Sequence, residues 1–125
     1  MINHKANIFA LKELGVSRIF AINSCGSLKK QFRPGSFIIP DDFICLWEIP
    51  TYFDNEMKFT IPAMDTRLRK LLSDVCSTLK ARCHSGGTYI QTKGPRFETK
   101  AEIRMIKGYG DIVGMTMASE ATLSM

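Results

Sequence analysis
Between Thr92 and Glu102 the chain reads TKGPRFETKAE, which sets an aromatic and a carboxylate side by side, Phe97-Glu98, at the threshold of a helix. Thr99 and Glu102 have the Ser/Thr-x-x-Glu spacing with which a helix start satisfies two orphan backbone donors reciprocally. Glu98, just outside that arrangement, is left over. A planar heterocycle would use both residues, with Phe97 as a stacking face contributing ~0.5–1.5 kcal/mol beyond area burial and Glu98 as a reader of the ring edge.

An ionised carboxylate only accepts hydrogen bonds. It suits a ring that offers an N–H, as a 6-oxopurine does at N1, and repels the lone pair that a 6-aminopurine carries there. The alternative is that Glu98 complements the positive end of a helix dipole, which contributes ~0.3–1 kcal/mol. The residues themselves leave both readings open. Two further segments have the composition of anion sites. Asn23-Ser24-Cys25-Gly26-Ser27 is a small, hydroxyl-rich loop able to form a backbone nest or simply a tight turn. Thr116, after Gly114-Met115, could hold an anion or cap a following helix. Cys25 has no base placed near it by the sequence.

These segments are positioned by an alternation of strands and helices. Helical spacing covers Asn3–Leu14 (closed by Gly15), Asp65–Ala81, Lys100–Lys107 and Met117 onward; short apolar runs at Arg18–Ile22, Ser36–Ile39, Phe43–Leu46, Thr88–Thr92 and Asp111–Met115 read as strands. Trp47–Met64, with two prolines, reads as irregular. The expected fold is α/β, a mixed sheet flanked by helices. In such sheets ligands bind beyond the carboxyl ends of strands, which is where all three candidate loops fall. The pattern opens in one helix and stops in another, uncapped, so residues 1–125 are expected to be the central part of a single larger domain, incomplete at both ends.

The chain has 125 residues, 45% hydrophobic and 23% charged, which suffices for one core. Its net charge of +5 is spread and interleaved with acids, so nucleic-acid binding is not the expectation. No apolar run suggests a membrane span and no secretory leader is evident, so a cytoplasmic protein is expected. The four cysteines lack zinc-finger spacing to one another or to His4 and His84; no metal is expected, and the thiols read as reduced and mostly buried.

Taken together, the segments resemble the trimeric purine nucleoside phosphorylase and methylthioadenosine phosphorylase family. The resemblance lies in Asn7–Gly15 (NIFALKELG), Ser24–Leu28 (SCGSL), Pro34–Phe37 (PGSF), Arg82–Ser85 (RCHS), Gly94–Thr99 (GPRFET) with Ala101-Glu102, and Gly114-Met115-Thr116 with Glu120. It implies a single α/β domain whose mixed sheet curls towards a barrel, assembled as a trimer, and phosphorolysis of a purine nucleoside to free purine and ribose 1-phosphate, with inorganic phosphate as co-substrate and no cofactor. It further implies that Phe97 and Glu98 meet the purine, Met115 packs on the ribose, and Thr116, Ser24 and, more weakly, Asn23 contact phosphate. Tyr52, Phe53 and Thr60-Ile61-Pro62 would approach a neighbouring subunit's sugar. Phe-Glu-Thr is the 6-oxopurine form of the motif, whereas SCGSL and RCHS look like the methylthioadenosine branch. The combination resembles phosphorylases of 6-oxopurine nucleosides or methylthioinosine, with methylthioadenosine as the alternative substrate. The family's glycine-containing phosphate loop and Arg-His segment would precede Met1, and its Asn or Asp at purine N7 would follow Met125. A non-catalytic remnant that binds purine or oligomerises is the other alternative, and a basic nucleic-acid-binding domain the most distant.

Overall fold
The computed structural model describes residues 2–125. Helix α1 spans His4–Glu13 and is followed by strands β1 (Gly26–Ser27), β2 (Phe37–Ile39) and β3 (Asp42–Cys45). Helix α2 (Thr66–Thr78), β4 (Cys83–Ser85), β5 (Thr88–Gln91), α3 (Lys100–Ile106), β6 (Ile112–Gly114) and α4 (Met117–Leu123) complete the order. Four strands form a mixed sheet in the order β1-β6-β5-β3, with β1 antiparallel to β6 and the other neighbours parallel. A separate parallel pair joins β2 to β4. Among the described residues no helix is long and apolar enough to cross a membrane.

Side chains alternate between the faces of a strand, and here the alternation distributes two cores. Tyr89 and Ile112, paired across β5 and β6, pack with Phe32 and Met117 on one face. Their neighbours Ile90 and Val113, also paired, pack with Ile106 on the other. Helix α4 thus closes one face through Met117, and α3 closes the other through Ile106 and Ile103. The start of β5 is pinned by two carboxylates. Gly87 N–H donates to Asp41 Oδ1 at 2.9 Å and Thr88 N–H to Asp111 Oδ2 at 2.8 Å. Helix starts follow local capping chemistry: Asp65 Oδ1 accepts from the N–H groups of Arg67 and Leu68, at 2.8 and 2.9 Å.

Four expectations are corrected. Arg18–Ile22 forms no strand, and Phe20 and Ile22 stand exposed. A strand exists only through its partner; the edge of β6 away from β5 is taken by β1, and no other described segment pairs with Arg18–Ile22. Cys83–Ser85, given no element by its composition, is strand β4 because it lies in register with Phe37–Ile39. The thiols are not mostly buried: Cys25 is exposed and Cys45, Cys76 and Cys83 are half-buried, all four free. Burial and a hydrogen bond with Cys76 push the Cys83 thiol up to about 11. Finally, α4 does not run uncapped to the end; it stops at Leu123, with Ser124 N–H donating to the carbonyls of Glu120 and Ala121.

Ile90 is 2% exposed in the contact between sheet and α3. Truncation there creates a cavity, so Ile90→Ala is expected to lower unfolding free energy by about 2–5 kcal/mol, read as a reduced midpoint in urea.

Candidate functional site
The carboxyl ends of β5 and β6 lie side by side, and the loops leaving them are tied together. Thr92 N–H donates to Gly114 O at 2.8 Å, extending the pairing one residue past β5. Gly94 crosses over Met115 so closely that a Cβ on it would sit 2.7 Å from Met115 Sδ, and its φ of +68° is in the left-handed region that glycine adopts freely. The next peptide bond, Gly94–Pro95, is cis. These contacts bring the GPRFET loop onto the Gly114-Met115-Thr116 loop.

Beneath them Tyr89, 1% exposed, directs its hydroxyl to the start of α4, where Thr116 N–H donates to Tyr89 Oη at 3.3 Å. Burial raises the Tyr89 phenol above its ordinary range, with N–H bonds from Thr116 and Met117 pulling the other way and the Cys25 thiol nearby adding to the rise. Gln91 secures the same junction: its Nε2 donates to Ser119 Oγ at 2.6 Å and its Oε1 accepts from Ser119 N–H at 3.1 Å. Thr116 occupies the N-cap of α4 but its side chain makes no capping bond, so the capping reading of that hydroxyl does not hold.

The helix threshold at Phe97–Glu102 is built as the spacing predicts. Thr99 N–H donates to Glu102 Oε2 at 2.6 Å, and Glu102 N–H donates to Thr99 Oγ1 at 3.2 Å. Arg96 adds a bidentate clamp, its Nη1 and Nη2 each 2.8 Å from a Glu102 oxygen. Glu98 is not wholly without a protein partner, because Thr92 Oγ1 donates to its Oε1 at 2.5 Å. Glu98, Thr92 and Gly94 line a cleft of about 320 Å³, walled on the far side by Trp47 and Met105. Lys93, also on its lining, pairs with Glu48 at 2.5 Å.

The other sequence-predicted residues are placed less tightly. Phe97 is 86% exposed and stands outside the cleft wall. Met115 and Thr116 are half-buried at the end of β6. Asn23 and Ser24 are exposed; carrying the antiparallel β1–β6 register two or three residues back from Gly26 sets Ser24 opposite Met115 and Asn23 opposite Thr116, though no ladder bond reaches that far. Tyr52 donates its hydroxyl to Lys5 O at 2.7 Å, Phe53 lies under Lys58, and Ile61 is exposed. Thr92, Tyr89 and Trp47 are additions that the sequence did not single out; the one available signal was that Thr92 ends a strand directly before the glycine loop.

A larger hollow, about 480 Å³, lies at the opposite end of β5, against His84, Gly86 and Gly87. It is broad, and although Cys83, His84 and Asp111 line it, it holds none of the candidate residues at Asn23, Ser24, Phe97, Glu98, Met115 and Thr116. Ligand sites of parallel sheets lie beyond the carboxyl ends of strands, and that favours the smaller cleft. Among the described residues no three His, Cys, Asp or Glu side chains converge as metal ligands would.

The sequence pattern of the phosphorylase superfamily matches residues 1–125. The chain belongs to the phosphorylase superfamily. Within it, the chain is 42% identical over 124 residues to a probable 6-oxopurine nucleoside phosphorylase of Archaeoglobus fulgidus, covering 98% of this chain and 51% of the relative. It is 44% identical to a probable S-methyl-5'-thioinosine phosphorylase of Methanocaldococcus jannaschii, with 98% and 50% covered. It is 40% identical to an S-methyl-5'-thioadenosine phosphorylase of Pyrococcus horikoshii, with 97% and 49% covered. Among solved structures, methylthioadenosine phosphorylase from Schistosoma mansoni without ligand superposes with a TM-score of 0.81 at 27% identity, over 98% of this chain and 53% of that one. The same enzyme in complex with adenine gives 0.80 at 28% identity, over 98% and 54%. The mixed α/β architecture is therefore that of the superfamily, and the chain spans about half the length of the curated relatives it matches.

The Arg96 hydrogen bonds, and after them the Thr99 N–H, hold the Glu102 carboxyl at about 2, below its ordinary 4.5. A carboxyl depressed by folding stabilises the native state above its unfolded value, and that contribution fades as pH falls towards the folded one. Urea midpoints measured from about pH 5 down to about pH 2 should therefore fall less steeply in Glu102→Gln than in the parent chain. Equal slopes would show that this pair contributes nothing.

Proposed function
We propose that the chain carries the base-reading part, and some of the phosphate-contacting part, of a purine nucleoside phosphorylase. Its substrate would be a 6-oxopurine nucleoside or 5'-methylthioinosine, cleaved by phosphate to free purine and the (methylthio)ribose 1-phosphate. The observation that carries this reading is Glu98: a carboxylate on the wall of a cleft, at a helix start whose capping is already done by Thr99 and Glu102. An acceptor in that place matches the N1–H of a 6-oxopurine and opposes the N1 lone pair of a 6-aminopurine. The relatives from Archaeoglobus fulgidus and Methanocaldococcus jannaschii, named for 6-oxopurine and thioinosine chemistry, support the same choice.

In this reading Phe97, exposed at the threshold, is covered when a purine stacks on it, and Met115 packs against the ribose. Thr116, whose hydroxyl is not spent on capping, donates to phosphate together with Ser24 and Asn23. Phosphate attacks C1′ of the sugar as the bond to the purine breaks, and the protein's part is to hold the anion under the sugar and to stabilise charge moving into the base. Phosphate is then a co-substrate, and no metal or organic cofactor takes part. The chain would be the central part of one larger domain, working in a cytoplasmic homo-oligomer, a trimer. Methylthioadenosine is the second candidate substrate, favoured by the Pyrococcus horikoshii relative.

Calorimetric titration with hypoxanthine and with adenine, each with and without phosphate, tests the proposal. Hypoxanthine should bind more tightly than adenine, and Glu98→Ala should weaken hypoxanthine by about tenfold or more, the scale of a hydrogen bond to a charged group. Tighter binding of adenine would favour the methylthioadenosine alternative; no binding of either would overturn both.

A further inference from the structure
We propose that Thr92 is a positioning residue for base selection, because it fixes the orientation of the Glu98 carboxylate. The inference rests on the base-reading role of Glu98 given above. Thr92 is itself held rigidly. Its N–H donates to Gly114 O at 2.8 Å, so its backbone belongs in effect to the sheet. Its hydroxyl has one proton to give and two acceptors in view, Glu98 Oε1 at 2.5 Å and Gly114 O at 3.4 Å. The closer acceptor takes it, at a length within the roughly 2.5–2.7 Å of hydroxyl–carboxylate bonds.

Glu98 has no other donor among the described residues. It sits in a connection between a strand end and a helix start, with the solvent-facing Phe97 before it. Without Thr92 the carboxylate would be free to rotate, since both guanidinium nitrogens of Arg96 are already bonded to Glu102. With Oε1 occupied, Oε2 is the remaining acceptor and its direction is set from the sheet. A ring N–H gains from an acceptor fixed in place, and a ring lone pair is repelled by it. Thr92 therefore acts on the contrast between the two kinds of base rather than on affinity for purines in general.

The test is titration of the full chain with hypoxanthine and adenine in the presence of inorganic phosphate, for the parent, Thr92→Val and Thr92→Ser. Valine keeps the volume and removes the hydroxyl; serine keeps the hydroxyl. Hypoxanthine binding should weaken about tenfold in Thr92→Val while adenine changes by less than about twofold, and Thr92→Ser should retain the parental preference. Circular dichroism and the urea midpoint report whether Thr92→Val folds; should it not, Thr92→Ala carries the same expectation. An unchanged hypoxanthine preference in the valine variant, an equal loss for both bases, or a serine variant that behaves like valine would overturn the role of Thr92 while leaving that of Glu98 standing. A parent chain that binds neither base overturns the proposed function, and this inference falls with it.

Discussion
The parallel pairing of β5 with β6 is the constraint on which the rest of this structure depends. Tyr89 faces Ile112 and Ile90 faces Val113, so the two central strands present one apolar pair to each side of the sheet. A slip of one residue would exchange the faces and turn every side chain to the wrong helix. The register that packs α4 against Tyr89 and α3 against Ile90 is the same register that ends both strands level. It sets Thr92 against Gly114 and leaves the two loops in contact. Core packing and site geometry are here two readings of one alignment.

The rim of the cleft separates two neighbouring acids by giving them different partners. Glu102 is fully engaged, by the Thr99 N–H and by both guanidinium nitrogens of Arg96. Glu98, four residues earlier, receives one hydroxyl and keeps an oxygen without a described donor. Ion pairs at an exposed rim contribute little to stability by themselves. Their effect here is to keep the Arg96 guanidinium on Glu102 rather than on the carboxylate of Glu98.

What could be read from the sequence was what is local. The helix start at Thr99 was visible because a cap and the backbone donors it satisfies lie within three residues. The strands of the sheet centre were visible because both faces are buried and the runs are apolar. Arg18–Ile22 looked the same and is not a strand, because pairing is a property of two segments and only one of them was in view. Cys83–Ser85 failed in the opposite direction, a polar triplet made a strand by distant Phe37–Ile39. At the candidate site, the capping box left Glu98 unassigned, which made it a candidate. The hydroxyl of Thr92 across the turn, and Tyr89 beneath Thr116, depend on a loop path that spacing does not encode.

Gly94 and Met115 together form a unit of variation. Position 94 is constrained twice, by a backbone handedness that disfavours any Cβ and by a thioether that occupies the space a Cβ would need. Shortening Met115 would relieve the second constraint and leave the first. The loop bearing the acid and the loop bearing Thr116 are then coupled by exclusion as well as by attraction: a lineage shortening residue 115 opens space at residue 94 that the backbone handedness there still reserves for glycine.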